Sequence, residues 1–403
     1  MKVRIARFAV PAAGHGGEHP QAFQPDGQFV YQISDLPPFG GDVSRGNSLN
    51  NLDVAAGYSF VTGNAVRHVA VWVNDSAFDL GTLGDPNTTN STVAWPVKNN
   101  SGLIAGIAQM DEPDPLHEDW SCSAFFSGPY ATGKKCVGVV WESGVIRPLP
   151  TLGGYNGFAT GANNRRQIVG WAENTIDDPV TCVPPQIRQF RAVIWGPGRD
   201  DIQELPLWPG DNSSAATAIN DRGQVVGISG TCDQAVGRYT ARHAVLWDDL
   251  GITLIGDLSG VLGGATFNTP MAINQRGDVV GFAGLPGFNP LDPPNGAFLW
   301  TREGGVQRLH ALNGHTTALA VGINERRQIV GTSCVAPNVG CRAVLWENGL
   351  VTDLNELRAP GYTNILLSAQ DINDRGHITG RAQIPGTSTR PAFLAIPRPK
   401  QAE

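Results

Sequence analysis

Ala218-Ile219-Asn220-Asp221-Arg222-Gly223-Gln224-Val225-Val226-Gly227 decides the fold, because the chain repeats it. Close copies stand at 272–281, 322–331 and 371–380, and looser ones at 161–170, 97–106 and 48–57. Every copy keeps one Asn at a fixed distance before its closing Gly: Asn50, Asn99, Asn163, Asn220, Asn274, Asn324 and Asn373. A second phrase follows and ends in Trp72, Trp141, Trp195, Trp247, Trp300 or Trp346, while the seventh, 391–395, has no Trp. A third phrase ends in Asp-Leu or a relative, as in Asp79-Leu80 and Asp353-Leu354.

Each unit therefore carries four short apolar runs, here called a, b, c and d. They are rich in Val, Ile, Leu and Trp and bounded by Gly, Asn, Asp or Pro, which reads as strands and turns. The a–b link is a tight turn whose Asn and Gly tolerate positive φ. Four antiparallel strands repeated radially make a propeller blade, so the fold class is all-β, a seven-bladed β-propeller. A d-type run at 29–36 precedes the first a run, and the last a–b–c set at 365–396 has no d run after it. The N-terminal strand is expected to complete the last blade and leave no open edge there. The division is a 1–28 extension, a 29–398 propeller and a 399–403 tail.

Composition agrees. Among 403 residues are 50 Gly and 29 Pro with 41% hydrophobic residues, a chain of many turns that still builds a core. Net charge is −7 and only 16% of residues are charged, with no basic stripe for nucleic acid. No apolar run is long enough for a membrane span. The opening residues 1–13 are basic and apolar but too broken for a secretory signal core. His15 and His19 are read as part of a loose tail.

The phrases Asp79-Leu-Gly-Thr-Leu-Gly84, Ala-Ile-Asn-x-Arg-Gly-x-Val-Val-Gly and His243-Ala-Val-Leu-Trp247 resemble the HAF repeat proteins, a bacterial extracellular repeat family. The resemblance spans nearly all of the chain after Phe29. It implies an exported repeat protein and brings no catalytic motif. Most Asp-Leu-Gly-Thr-Leu-Gly-Gly copies are absent here, and Cys-bearing insertions are added.

Six cysteines, Cys122, Cys136, Cys182, Cys232, Cys334 and Cys341, form no C-x-x-C pair. Three disulfides in an extracellular or periplasmic setting is the preferred reading, and fifteen connectivities are open. Either a signal peptide has been removed from this chain or export is wrong, and the cysteines favour removal.

Strand a lines the channel of such an array. The a–b and c–d links share one face, and the b–c and d–a links share the other. The a–b links are nearly uniform, whereas the b–c links vary and have all the cysteines in or beside them, so function is expected on the b–c/d–a face. The longest b–c link, 110–135, supplies Asp111, Glu112 and Asp114 as oxygen donors for a calcium-type cation, although no cofactor is required. It also brings His117, Trp120 and Tyr130, where an aromatic face can stack on a sugar. A solvated acidic loop with its aromatics tucked beneath is the competing reading. Around the mouth, Asp42, Arg45, Asn90, Tyr155, Asn156, Asp211, Asn212, Asn268, His315 and Asn364 form a polar ring. His68, Arg191, His243 and Arg342 share one place in strand c, so a packing role competes with a functional one.

The function expected is a secreted, monomeric propeller that binds a polar ligand, above all a glycan. Trp120, Tyr130, Asn156, Asn212, Asn268 and His315 are the binding candidates. The alternatives are a polysaccharide lyase or glycosidase and a protein-interaction scaffold. A lyase needs an Arg or cation to neutralise a uronate and a His or Tyr to move the proton, with His117, Tyr155, Arg191 and His243 as candidates. A glycosidase needs two facing carboxylates.

Overall fold

The computed structural model describes residues 29–400 except 75, 119, 124, 132, 180–181, 183–185, 199, 233–240, 256–266 and 285–294. For Trp120, Ser121 and Asn295 it describes the backbone alone. His15, His19, Asp119 and the two terminal segments lie outside the described residues.

Seven four-stranded antiparallel sheets make the ring. Blade 1 is representative: strand a Gly40–Leu49, b Ala55–Val61, c Arg67–Val73 and d Ser76–Asp79. Blade 7 takes a, b and c from Ile365–Ile372, Ile378–Gln383 and Ala392–Pro399, and its d strand is Phe29–Asp35. The clasp runs in unbroken register from Phe29 opposite Pro399 to Asp35 opposite Phe393. The two chain ends thus close the ring.

The closing Gly of the repeat is explained by one contact. Strand a bulges opposite it, and a Cβ on Gly227 would sit 2.1 Å from the Ala215 carbonyl oxygen. At Gly57 a Cβ would meet the Arg45 carbonyl at 1.9 Å. No side chain fits where a neighbouring carbonyl approaches so closely.

The repeated Asn has two jobs. Asn220 Oδ1 accepts from the Arg222 and Gln224 amides (both 3.0 Å) and so closes its own a–b turn. Its Nδ2 donates to the Asn274 carbonyl of the next blade at 3.0 Å. Asn274, Asn324, Asn373 and Asn50 continue to the carbonyls of Asn324, Asn373, Asn50 and Asn99. Asn99 reaches Ala162 O and Asn163 reaches Asn220 O, so the hydrogen bonds circle the channel. The neighbouring residues form a second ring, in which each backbone amide donates to the side chain of the following blade, from Asn51 to Asn100 round to Asp374 back to Asn51.

The channel is crossed by side chains. Lys98 of blade 2 reaches Asp371 Oδ1 (2.6 Å) and the Ile372 carbonyl (2.6 Å) of blade 7, and the Ile323 carbonyl of blade 6 (3.2 Å). The Trp95 indole donates to Met271 Sδ at 3.2 Å. Trp95 belongs to blade 2 and Met271 to blade 5, three blades apart in a ring of seven, so they meet across the axis. Around them Ile107, Phe126, Phe158, Trp171, Phe190, Ile228, Phe267 and Val321 form one buried apolar cluster.

Strand-c tryptophans tie blade to blade. The indoles of Trp72, Trp141, Trp195, Trp247 and Trp346 donate to Pro37, Leu80, Pro150, Pro206 and His310 carbonyls just past the preceding d strand. No helix among the described residues is long and apolar enough to cross a membrane.

Candidate functional site

The position directly after the closing Gly divides the ring. In blades 2 to 5 it holds Ile107, Trp171, Ile228 and Phe282, all part of or packed on the apolar cluster. In blades 6, 7 and 1 it holds Thr332, Arg381 and Tyr58. The same backbone register therefore builds an apolar plug on one side and a polar cluster on the other.

Tyr58 is the centre of that cluster and is only 4% exposed. Arg45 stands opposite it on strand a, with its guanidinium 5.4 Å from the ring centroid. Arg67, first residue of strand c, places its guanidinium 4.2 Å from the Tyr58 centroid and 5.2 Å from that of Phe126. Phe126 comes from the 110–135 link of blade 2, so this loop reaches the cluster through a ring it buries. Arg381 enters from strand b of blade 7, with Arg67 and Arg381 both within hydrogen-bonding reach of the phenol.

None of these three arginines forms an ion pair with a carboxylate among the described residues. The Nε atoms of all three are shut from solvent with no acceptor. Burial would raise the Tyr58 phenol, but Arg45, Arg67 and Arg381 outweigh it and bring it down to about 8. Burial and then the neighbouring cations Arg45 and Arg381 push Arg67 down to about 10, against the pull of Tyr58. Convergent, half-buried cations without a counter-charge are costly unless an anion completes them.

The residues expected from sequence take other places. Asn156 is buried and its amide holds Asp114 Oδ2 (2.7 Å) and Glu173 Oε1 (2.9 Å), so it braces the loop instead of lining the mouth. Asn90 is likewise buried, on Gln109. Asp111, Glu112 and Asp114 do not converge: Asp111 faces Lys134 and the Asp85 amide, Glu112 pairs with Lys135, and Asp114 turns inward to Asn156. Among the described residues no group of three His, Cys, Asp or Glu side chains is placed to hold a metal. Arg191 is spent on Glu204 (2.9 Å) and Gln189 (2.7 Å). His68 uses both ring nitrogens, on Asp79 and the Pro86 carbonyl. With Arg342 facing Asp353, the strand-c position mostly pairs with an acid of its own blade. His243 has no such partner and takes Asp211 instead, at 2.8 Å, beside Trp208.

Tyr155 lies 5.5 Å from the Lys135 ammonium. His117 and Tyr130 are exposed on the long loop, and of Trp120 only its place in the turn Trp120–Ser123 is described. Asn212 accepts from the Cys232 amide and Asn268 donates to the Arg242 carbonyl, so both brace the b–c link of blade 4. His315 donates or accepts at Ser333 Oγ (3.0 Å) and edges a cleft of about 300 Å³ with Arg308, His310 and Asn313. Structure does not bring these candidates together.

A second buried cluster anchors the long loop. Glu118 Oε2 accepts from the Ile187 and Arg188 amides (2.6 and 2.8 Å) of blade 3. Burial, then the Glu118 charge, pushes Glu173 up to about 7 despite four hydrogen-bond donors.

The disulfides are Cys122–Cys136, Cys182–Cys232 and Cys334–Cys341. The first and third staple single b–c links, and the second joins the b–c links of blades 3 and 4. Such bonds suit an oxidising compartment.

No family model matches the chain, so the likeness to HAF repeats rests on its phrases alone. No curated protein matches either. Among solved structures, the chain is similar to a virginiamycin B lyase from Staphylococcus aureus (9% identity, 92% of this chain and 100% of that one, TM-score 0.49). It is also similar to a Pyrococcus horikoshii acylaminoacyl peptidase (10%, 92% and 52%, 0.45) and to an ulvan lyase (8%, 92% and 97%, 0.43). With TM-scores under 0.5 these likenesses carry no argument, and the propeller rests on the strands themselves.

Proposed function

We propose that this protein binds an acidic glycan at the junction of blades 7, 1 and 2, beside the apolar plug. One observation carries the reading: Arg45, Arg67 and Arg381 surround Tyr58 and no carboxylate among the described residues answers them. Guanidinium groups bind carboxylate and sulfate through directed, charge-assisted hydrogen bonds, so the missing partner is an anion carried by the ligand. Phe126 adds an aromatic wall beside Arg67. The three disulfides support a protein that works outside the cell or in the periplasm.

A glycosidase has less support, because the acids of this face are engaged: Asp211 with His243, Asp114 with Asn156, Glu112 with Lys135. Binding of polygalacturonate (carboxylate), carrageenan (sulfate) and dextran (neutral) to immobilised protein tests the proposal. Retention of either acidic polymer but not dextran is expected. Equal retention of all three, or of none, overturns it and leaves the scaffold reading.

A further inference from the structure

Lyase activity on uronate-containing glycans, with Tyr58 as the catalytic residue, is the further step, and it rests on the binding site just described. We infer that the protein cleaves its acidic glycan by β-elimination, with the Tyr58 phenol moving the proton and the Arg45, Arg67 and Arg381 guanidiniums neutralising the uronate carboxylate. The geometry brings together what this reaction requires. The hydrogen removed is on the carbon attached to the carboxylate, and that carbon is acidic only when the carboxylate charge is neutralised. Here the cations that hold the carboxylate are the ones packed on the phenol, at 4.2 and 5.4 Å from its ring.

The same arginines prepare the base. They favour the phenolate, so that a sizeable fraction is ionised at mildly alkaline pH, where an isolated tyrosine is almost wholly protonated. Among the described residues the cluster has no carboxylate or imidazole: its other members are guanidiniums, the Thr332 hydroxyl and the Phe126 ring. The imidazoles closest to the role in sequence, His68 and His243, are bound to Asp79 and Asp211.

The step balances without water, oxidant or metal. The Tyr58 phenolate takes the proton from C5 of the uronate, and the C–H electron pair moves into the carboxylate as an enolate held by the three guanidiniums. Those electrons then form the C4=C5 double bond and expel the glycosidic oxygen on C4. That oxygen takes the proton back from Tyr58, restoring the phenolate. One product is an unsaturated uronate, and the other carries a new reducing end.

The test uses the whole chain with polygalacturonate, alginate and hyaluronan, and follows the ultraviolet absorbance of the conjugated unsaturated uronate alongside binding. Expected is a rise in absorbance matched by new reducing ends for at least one polymer. Its kcat/KM should rise with pH through about 8, the value at which free Tyr58 ionises. Tyr58→Phe should keep binding within about threefold, keep its thermal midpoint, and lose turnover by about 100-fold or more. A wild-type protein that binds uronate polymer but yields no unsaturated product overturns the lyase and leaves the binding site standing. Reducing ends without absorbance, or full activity in Tyr58→Phe, also overturns it. Failure to bind any of the three polymers overturns the uronate ligand and the lyase with it, and the carrageenan arm then decides the binding site.

Discussion

The Lys98 ammonium lies 2.6 Å from Asp371 Oδ1, joining blade 2 to blade 7 past blade 1, and Asp371 is fully buried. Asp371 also accepts from the Leu49 amide of blade 1 at 2.8 Å. One lysine of blade 2 therefore gathers blades 1, 6 and 7, the part of the ring where the chain ends meet. Burial raises the Asp371 carboxyl while Lys98 draws it down. Lys98→Met should strand a buried charge and cost about 3–5 kcal/mol. In urea melts, Lys98→Met with Asp371→Asn should recover much of that loss, and the single-variant loss should shrink at low pH as Asp371 takes a proton. An unchanged midpoint in Lys98→Met contradicts the role given to it.

The Asn ring makes a second claim. In Asn220→Asp the turn-closing oxygen is kept and the donor to the Asn274 carbonyl is lost, leaving carboxylate facing carbonyl. A destabilisation of about 2 kcal/mol is expected in denaturant titration. The same change at Asn324, which donates to Asn373 at 3.0 Å, should behave alike. Asn51, whose side chain serves the second ring at the solvent edge, should be more tolerant to Ala.

Glu173 sets a pH dependence. Its folded value, about 7, exceeds the ordinary 4.5, so between these two the native state holds more protons than the unfolded chain. Stability should therefore fall as pH rises from about 4.5 through about 7, with the penalty complete above that window. Thermal melts across the window check the sign, and Glu173→Gln should flatten the slope. A rise in stability over this range that vanishes in Glu173→Gln would contradict the placement of this carboxyl.

Arg381 offers a separation of function from stability. Its neighbours include Arg45, Arg390 and Tyr58, it pairs with no acid among the described residues, and burial followed by Arg45 depresses its own ionisation. Removing it relieves repulsion in the ligand-free protein. Arg381→Met should leave the thermal midpoint equal or a few degrees higher while weakening acidic-glycan binding. Loss of both together points to a structural arginine instead.

Sequence disclosed the ring because a ring of repeats must repeat its backbone needs. A Gly recurs where a carbonyl of strand a leaves no room for Cβ, and an Asn recurs where one side chain must both close a turn and reach the next blade. The clasp was legible from a d strand at the wrong end of the chain. The site was not. It draws one residue from each of three strands in blade 1, one from blade 7 and a ring from blade 2, which no local motif joins. The variable 110–135 link attracted the sequence reading, yet its acids and Asn156 serve to pin it down, and what it contributes to the cluster is Phe126. A signal did exist: aligned on the closing Gly, the next residue turns from Ile, Trp and Phe to Thr332, Arg381 and Tyr58.

Calorimetric titration of a galacturonate oligosaccharide, and of the same oligosaccharide with its carboxylates reduced to alcohols, tests the central claim most directly. Wild-type protein should bind the acidic form and not the reduced one, with affinity falling as salt rises. Arg67→Gln and Arg381→Gln should each weaken binding by about 10-fold or more, the scale of a charge-assisted hydrogen bond. Equal binding of the acidic and reduced forms, or wild-type affinity in the double variant, would show that these unanswered arginines are not where an acidic ligand goes.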